Sequence, residues 1–278
     1  MSFSSDLKIE LSKINNLKNK QEVYAEFLGY LVVSNTSIDA KNIKFSTENE
    51  YNINRFAKLL NNLNIIDYNI EIVGKTYSIT FKNKDIKMVD KENINTILNT
   101  DNLKKAYIRG NFLGGGSANN PKNKYHLEII FKTVQYAQMT LELVNSFGIS
   151  MKSLDKTLYL KDGEVISNFL ALMGANSSVL KFEEIRVLRE MKNNVNRIVN
   201  CETANLNKTI NASVKQVETI KKLKKTGKFN SLPEDLKEIA NLRLENPDAT
   251  LEELGKMLKN PIGKSAVNHR FKKLEQLL

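Results

Sequence analysis

The segment IKFSTENEYNINRFAKLLNNLNI, from Ile43 to Ile65, can be laid on LEIIFKTVQYAQMTLELVNSFGI, from Leu127 to Ile149, and KTYSITFK, from Lys75, on KTLYLKDG, from Lys156. Repetition on this scale confines a chain to architectures that use one supersecondary unit twice. Hydrophobic periodicity agrees. It predicts helix over Lys20 to Val33, strand over Asn42 to Thr47, helix over Asn52 to Leu63, and strands over Tyr68 to Val73 and Thr76 to Phe81, with Gly74-Lys75 as the hairpin turn. The order then recurs: helix over Leu103 to Leu113, extended chain over Tyr125 to Phe131, helix over Val134 to Phe147, strand over Thr157 to Lys161 and helix over Val165 to Met173. Two copies of a helix-strand-strand-helix-strand-strand unit point to a pseudo-symmetric α+β domain, with chance likeness of two α+β halves as the competing reading.

The second copy opens on a helix that runs into RGNFLGGGSANNP, residues Arg109 to Pro121. Gly110, four residues, then Gly115-Gly116-Ser117 is one residue short of a phosphate loop, and Gly116 stands where that loop needs its lysine. A phosphate loop also leads from a strand into a helix, and here the order is reversed. The expectation is that the glycines close a helix, since glycine takes the left-handed conformation at a helix end without a Cβ penalty.

A duplicated unit whose copies each open with a helix ending in small residues resembles the LAGLIDADG homing-endonuclease fold. The resemblance implies two opening helices packed side by side, which Ala25 and Gly29 in one copy and Gly110 and Gly114 in the other would permit. It also implies one acidic residue per helix at a metal-dependent DNA-cleaving site. Laid on the nine-residue family motif, the chain reads Phe27 to Asn35 and Ile108 to Gly116, and the catalytic acid's eighth position holds Ser34 and Gly115. Divalent metals at phosphodiester-cleaving sites need carboxylate oxygens, so the expectation is no catalytic residue, no bound metal and no enzyme activity.

A length of 278 residues suggests about two domains. The net charge of +11 favours a polyanionic partner, nucleic acid before membrane. Cys201 is the one cysteine and reads as a small packed residue, and the two histidines, His126 and His269, belong to no zinc-binding spacing. No cofactor is expected. No stretch has the pattern of a signal peptide or the apolar length of a membrane span, which predicts a cytoplasmic protein.

From Lys181 the chain turns helical and carries about +7 of the net charge. The run Lys221-Lys222-Leu-Lys224-Lys225-Thr-Gly-Lys228 reads as a solvated linker or a phosphate track. Ser231 is expected to cap a helix with Glu234 as capping-box partner, burying Leu236, Ile239, Ala240 and Leu244. Thr250, with Glu253, caps a second helix carrying Leu251, Leu254 and Leu258, and Lys264 to Leu278 forms the last, with Val267, Phe271 and Leu274 inward. A short glycine-containing turn before a basic helix makes a helix-turn-helix, with a three-helix dimerisation module as the alternative. With that inner face fixed, Ser265, Asn268, His269 and Lys272 point away from the core and Lys264 sits at the start of the helix. These are the candidates for reading base edges, and Arg270 and Lys273 for holding the phosphate backbone.

SFSSDLKIEL, YIRGNFLGGGSANNPKNKYHLEI, NRIVNCETANLNKT, LPEDLKEIANLRLENPDATLEELG and KSAVNHRFKKL, in this order, resemble the bacterial WhiA family nearly from end to end. That resemblance implies a degenerate LAGLIDADG domain ahead of a helix-turn-helix domain, in a regulator of sporulation or a factor in cell division and chromosome segregation. The expected organisation is a first half over 1–100, a second over 101–180, a helical linker over 181–228 and a DNA-binding domain over 229–278. The expected partners are double-stranded DNA at the nucleoid and, beyond it, other regulators or division proteins. The rivals are a division factor working chiefly through protein partners and an active endonuclease.

Overall fold

A computed structural model describes residues 2–83 and 91–278. Two compact units divide at Glu190 and Met191. In chain order the first unit holds α1 (Phe3–Ser12), α2 (Lys20–Leu31), β1 (Thr36–Ile38), β2 (Asn42–Thr47), α3 (Glu50–Asn62), β3 (Tyr68–Val73), β4 (Thr76–Lys82) and α4 (Lys91–Ile97). It continues through α5 (Asp101–Gly115), β5 (Gly116–Ala118), β6 (Leu127–Ile130), α6 (Val134–Asn145), β7 (Lys152–Leu154), β8 (Thr157–Leu160) and α7 (Gly163–Met173).

The repeat in the text is a repeat in space. The sheets have strand orders β1-β2-β4-β3 and β5-β6-β8-β7, all neighbours antiparallel. Asn49 caps α3 by accepting the Asn52 amide, and its counterpart Thr133 caps α6 by accepting the Tyr136 amide. Each hairpin turns on two residues of which the first is left-handed, Gly74 before β4 and Asp155 before β8. Alternation puts Ile43, Phe45, Ile79 and Phe81 of one sheet and Leu127, Ile129, Leu158 and Leu160 of the other into a single core shared by both halves. The halves expected at 1–100 and 101–180 thus share one core.

The paired opening helices explain the glycines, and the expected left-handed helix end is corrected. α5 runs through Gly114 and Gly115, and Gly116 follows in extended conformation. What the glycines supply is close approach. A Cβ on Gly29 would lie 2.3 Å from the Tyr107 carbonyl oxygen, and one on Gly110 would lie 2.0 Å from that of Glu26. No side chain fits under those carbonyls, so α2 and α5 touch backbone to backbone.

Between them lies a buried charge cluster. Arg55 of α3 donates Nε to Glu26 Oε1 at 2.8 Å and Nη2 to Oε2 at 2.9 Å, and Arg109 of α5 donates Nε to Oε2 at 3.0 Å. Arg55 also donates to the Ile14 carbonyl at 2.6 Å and Arg109 to the Met173 carbonyl at 3.3 Å. Burial pushes the Glu26 carboxyl up, but the two guanidiniums outweigh it and hold the group below the ordinary range.

The helix α8 (Asn176–Lys225) begins in the first unit, and from Met191 onward it belongs to the second. That unit is completed by a 3-10 turn over Lys228–Ser231, α9 (Glu234–Glu245), α10 (Leu251–Met257) and α11 (Lys264–Gln276). Ile220 and Leu223, placed in the linker by the sequence reading, are fully buried in this unit's core with Leu236, Ile239, Leu254, Val267, Phe271 and Leu274. The region 181–228 is therefore more than a linker. Among the described residues no helix is long and apolar enough to cross a membrane.

Candidate nucleic-acid interface

α10 and α11 form the helix-turn-helix. Thr250 accepts the Glu253 amide while Glu253 accepts the Thr250 amide at 2.7 Å, which is the expected capping box. The expected cap at Ser231 is corrected: its hydroxyl donates to the Lys228 carbonyl in the 3-10 turn, and α9 starts after Pro233 without a side-chain cap. Proline has already fixed the entry angle there, and Ser231 lies too far upstream of Glu234 to reach the first-turn amides. The glycine that shapes the turn is Gly255, inside α10. A Cβ there would lie 2.2 Å from the Ile262 carbonyl oxygen, whereas one on Gly263 would meet nothing within 4 Å.

The structure buries Val267, Phe271 and Leu274 of α11 and leaves Lys264, Ser265, Asn268, His269, Lys272 and Lys273 exposed. The side chains of Ser265, Asn268, His269, Lys272 and Lys273 make no hydrogen bond or ion pair among the described residues. Arg270 differs. It is half-buried and engages Asp235 of α9, with Nε 3.4 Å from Oδ2 and Nη1 3.4 Å from the backbone oxygen, so it braces α11 against α9.

Arg243 escaped sequence reasoning, which placed Leu244 on the inner face of α9. Leu244 is half-buried and Arg243 is 2% exposed. Arg243 donates to the carbonyls of Pro247 at 3.1 Å and Ala249 at 2.6 Å, and its guanidinium lies 5.4 Å from the Phe271 ring centre. It thereby ties the loop after α9 to the underside of α11. Burial lowers its pKa from the ordinary arginine value. Its place four residues after Ile239, one helical turn along the inner face, was the available signal.

Ser34 and Gly115, the positions to which the family resemblance assigns the catalytic acids, lie in the first unit. Ser34 is exposed, donates its amide to the Ile130 carbonyl at 2.9 Å and its hydroxyl to Asn35 Oδ1 at 3.5 Å. At Gly115 a Cβ would stand 2.7 Å from Val33 Cβ and 2.8 Å from the Ile130 oxygen. The residues do not fit a catalytic metal: one position offers a hydroxyl, and the other has no room for a side chain. The perturbed groups nearby are amines. Lys132, whose amide bonds the Val32 carbonyl at 3.0 Å, has an unpartnered buried Nζ, and burial pushes both it and Lys8 down to about 8. Desolvated amines disfavour a second cation. Among the described residues no three His, Cys, Asp or Glu side chains are grouped as a metal site.

A duplicated α+β body with paired opening helices, followed by a helix-turn-helix module, defines a homing-endonuclease-like scaffold joined to a nucleic-acid-binding type of domain. Two family models match: the WhiA LAGLIDADG-like domain over residues 104–192 and the WhiA C-terminal HTH domain over 195–278. A relative from Clostridium tetani, called a probable cell division protein WhiA, is 39% identical over all of this chain and 97% of its own. One from Clostridium acetobutylicum is also 39% identical with the same coverage. Full-length DUF199/WhiA from Thermatoga maritima superimposes with a TM-score of 0.61 at 28% identity, covering 100% of this chain and 98% of that one. The chain belongs to the WhiA family.

Proposed function

We propose that this protein is a non-enzymatic, DNA-binding cell-division factor that regulates transcription and supports chromosome segregation at the nucleoid. The observation that carries the reading is the outer face of α11, where Ser265, Asn268, His269 and Lys272 are exposed and unpartnered on a helix whose inner face is fixed by Val267, Phe271 and Leu274. Asparagine is matched to adenine edges, and serine and lysine donate to bases or phosphates, so α11 is the recognition helix. Lys264 and Lys273 contribute phosphate contacts that add affinity without sequence preference. Arg270 acts indirectly, by bracing that helix. The first unit serves as scaffold and protein-contact surface. It makes no cut, because Ser34 and Gly115 bring no carboxylate to a metal.

The cell-division role is taken from the relatives, which are called probable cell division proteins, and the helix-turn-helix would supply its means. The test is replacement of Lys264, Asn268 and Lys272 together by alanine in the native gene. These side chains are exposed, so the variant protein is expected to accumulate normally while division and segregation fail as in a deletion strain. Normal growth with this variant would favour a factor that works through protein partners alone.

A further inference from the structure

A polar pocket of about 500 Å³ opens in the first unit, bordered by Asn35 and Gly116, the residues directly after Ser34 and Gly115. Its wall is built by the first turns of α1, with Ser2, Ser4, Ser5 and Lys8, and by the end of β2 with Thr47. The hydroxyls there are already used as acceptors. Ser4 Oγ accepts the Ala118 amide at 3.2 Å, Ser5 Oγ accepts Asn49 Nδ2 at 3.3 Å, and Thr47 Oγ1 accepts the Asn49 amide at 3.2 Å and Asn52 Nδ2 at 3.4 Å. Their own protons have no acceptor among the described residues. The first-turn amides of α1 add partial positive charge to the same wall.

Lys8 completes the surplus of donors. It lines the pocket, is half-buried, and its side chain forms no hydrogen bond or ion pair among the described residues; burial lowers the pKa of its amine. Glu48 also borders the pocket and is exposed, and among the described residues no carboxylate forms an ion pair with Lys8. A site that offers several hydroxyl protons, a helix amino terminus and one uncompensated ammonium lacks only an anion with several acceptor oxygens.

We propose that this pocket binds the phosphoryl group of a small phosphorylated ligand of nucleotide size. The cavity lies in the range of small-molecule sites. Two carboxylates interrupt the faces of the adjoining sheets, Glu71 at 3.7 Å from Lys44 and Glu128 at 3.1 Å from His126, which favours a small anion over the long polyanionic backbone of duplex DNA. The site is not a phosphate loop; its donors come from side chains and α1. It is also independent of DNA reading by α11.

The test is calorimetric titration of the full chain with inorganic phosphate and with adenosine 5′-monophosphate at matched ionic strength. Wild type and Lys8→Met are compared, with Thr47→Val as a second variant that keeps the side chain's shape. Saturable binding of phosphate or the nucleotide, weakened about tenfold or more by Lys8→Met and measurably by Thr47→Val, is the expected result. Absence of saturable heat with both probes, or equal affinity in wild type and both variants, would overturn the proposal. So would a loss of duplex DNA binding in Lys8→Met without any binding of the small probes, which would assign the pocket to a DNA backbone.

Discussion

The helix pairs α2–α5 and α10–α11 are fastened by the same device and put their polar groups to opposite use. In each pair a glycine lies under a carbonyl oxygen with no room for a Cβ: Gly29 and Gly110 across α2–α5, Gly255 under Ile262 in the turn before α11. Around the first pair the charged side chains turn inward, and Glu26 satisfies Arg55 and Arg109 out of contact with water. On α11 Arg270 is engaged by Asp235, but Ser265, Asn268, His269 and Lys272 turn outward with unpartnered side chains. The contrast teaches that close helix contact by itself says nothing of function. On the proposed reading, what separates a structural polar group from a recognising one is whether the protein has already satisfied it.

The largest effect should come from emptying the inward cluster. Glu26→Gln leaves two buried guanidiniums without their carboxylate and is expected to cost about 3–5 kcal/mol in urea unfolding. The same residue fixes a pH dependence. Its folded pKa lies below the ordinary 4.5, so its contribution is fully present above that value and is lost as pH falls through the folded value. Stability of the wild type should therefore decline in acid, with a smaller slope in Glu26→Gln. An unchanged midpoint and slope in the variant would remove the distinction drawn between the two pairs.

Gly110→Ala follows, because its Cβ would stand 2.0 Å from a helix backbone oxygen that cannot move alone. A loss of about 3 kcal/mol is expected in thermal unfolding, well above that of Gly263→Ala, whose Cβ meets nothing within 4 Å and which changes only the cap of α11. On the outward face the effects concern binding. Asn268→Ala should cost about 1–3 kcal/mol on the preferred DNA site and relax its sequence preference. Lys273→Ala should weaken all sequences alike and lower the salt slope by about one, as seen in fluorescence anisotropy at several salt concentrations. Identical behaviour of these two variants across sequences would show that the face of α11 is wrongly divided into base and backbone contacts.

The outward face was legible in the sequence and the inward one was not. Val267, Phe271 and Leu274 recur at helical spacing within eight residues, and fixing that stripe also fixes what lies opposite. The repeat exposed both sheets in the same way, because each copy supplied the reading of the other. The cluster at Glu26 joins residues 29 and 83 positions apart, a relation that no local pattern encodes. Arg243 was hidden for a related reason: a cation near the end of a helix ordinarily reads as solvated, and only the carbonyls of the following loop account for its burial. The glycines of α5 were recognised as packing residues, but their conformation was misjudged, since close approach and a left-handed helix end leave the same letters in a sequence. The strands β1, β5 and β7, three residues each, are too short to establish a period.

The central proposal is that the outward face of α11 reads DNA while the positions of Ser34 and Gly115 do no chemistry. It is tested most directly by incubating the full-length protein with fragmented genomic DNA at physiological salt with magnesium, recovering the bound fraction and sequencing it. The account predicts enrichment of one sequence motif by the wild type, loss of that enrichment in Asn268→Ala, and intact fragment ends. Motif enrichment that survives Asn268→Ala, or cleavage at a defined position within the motif, would contradict it.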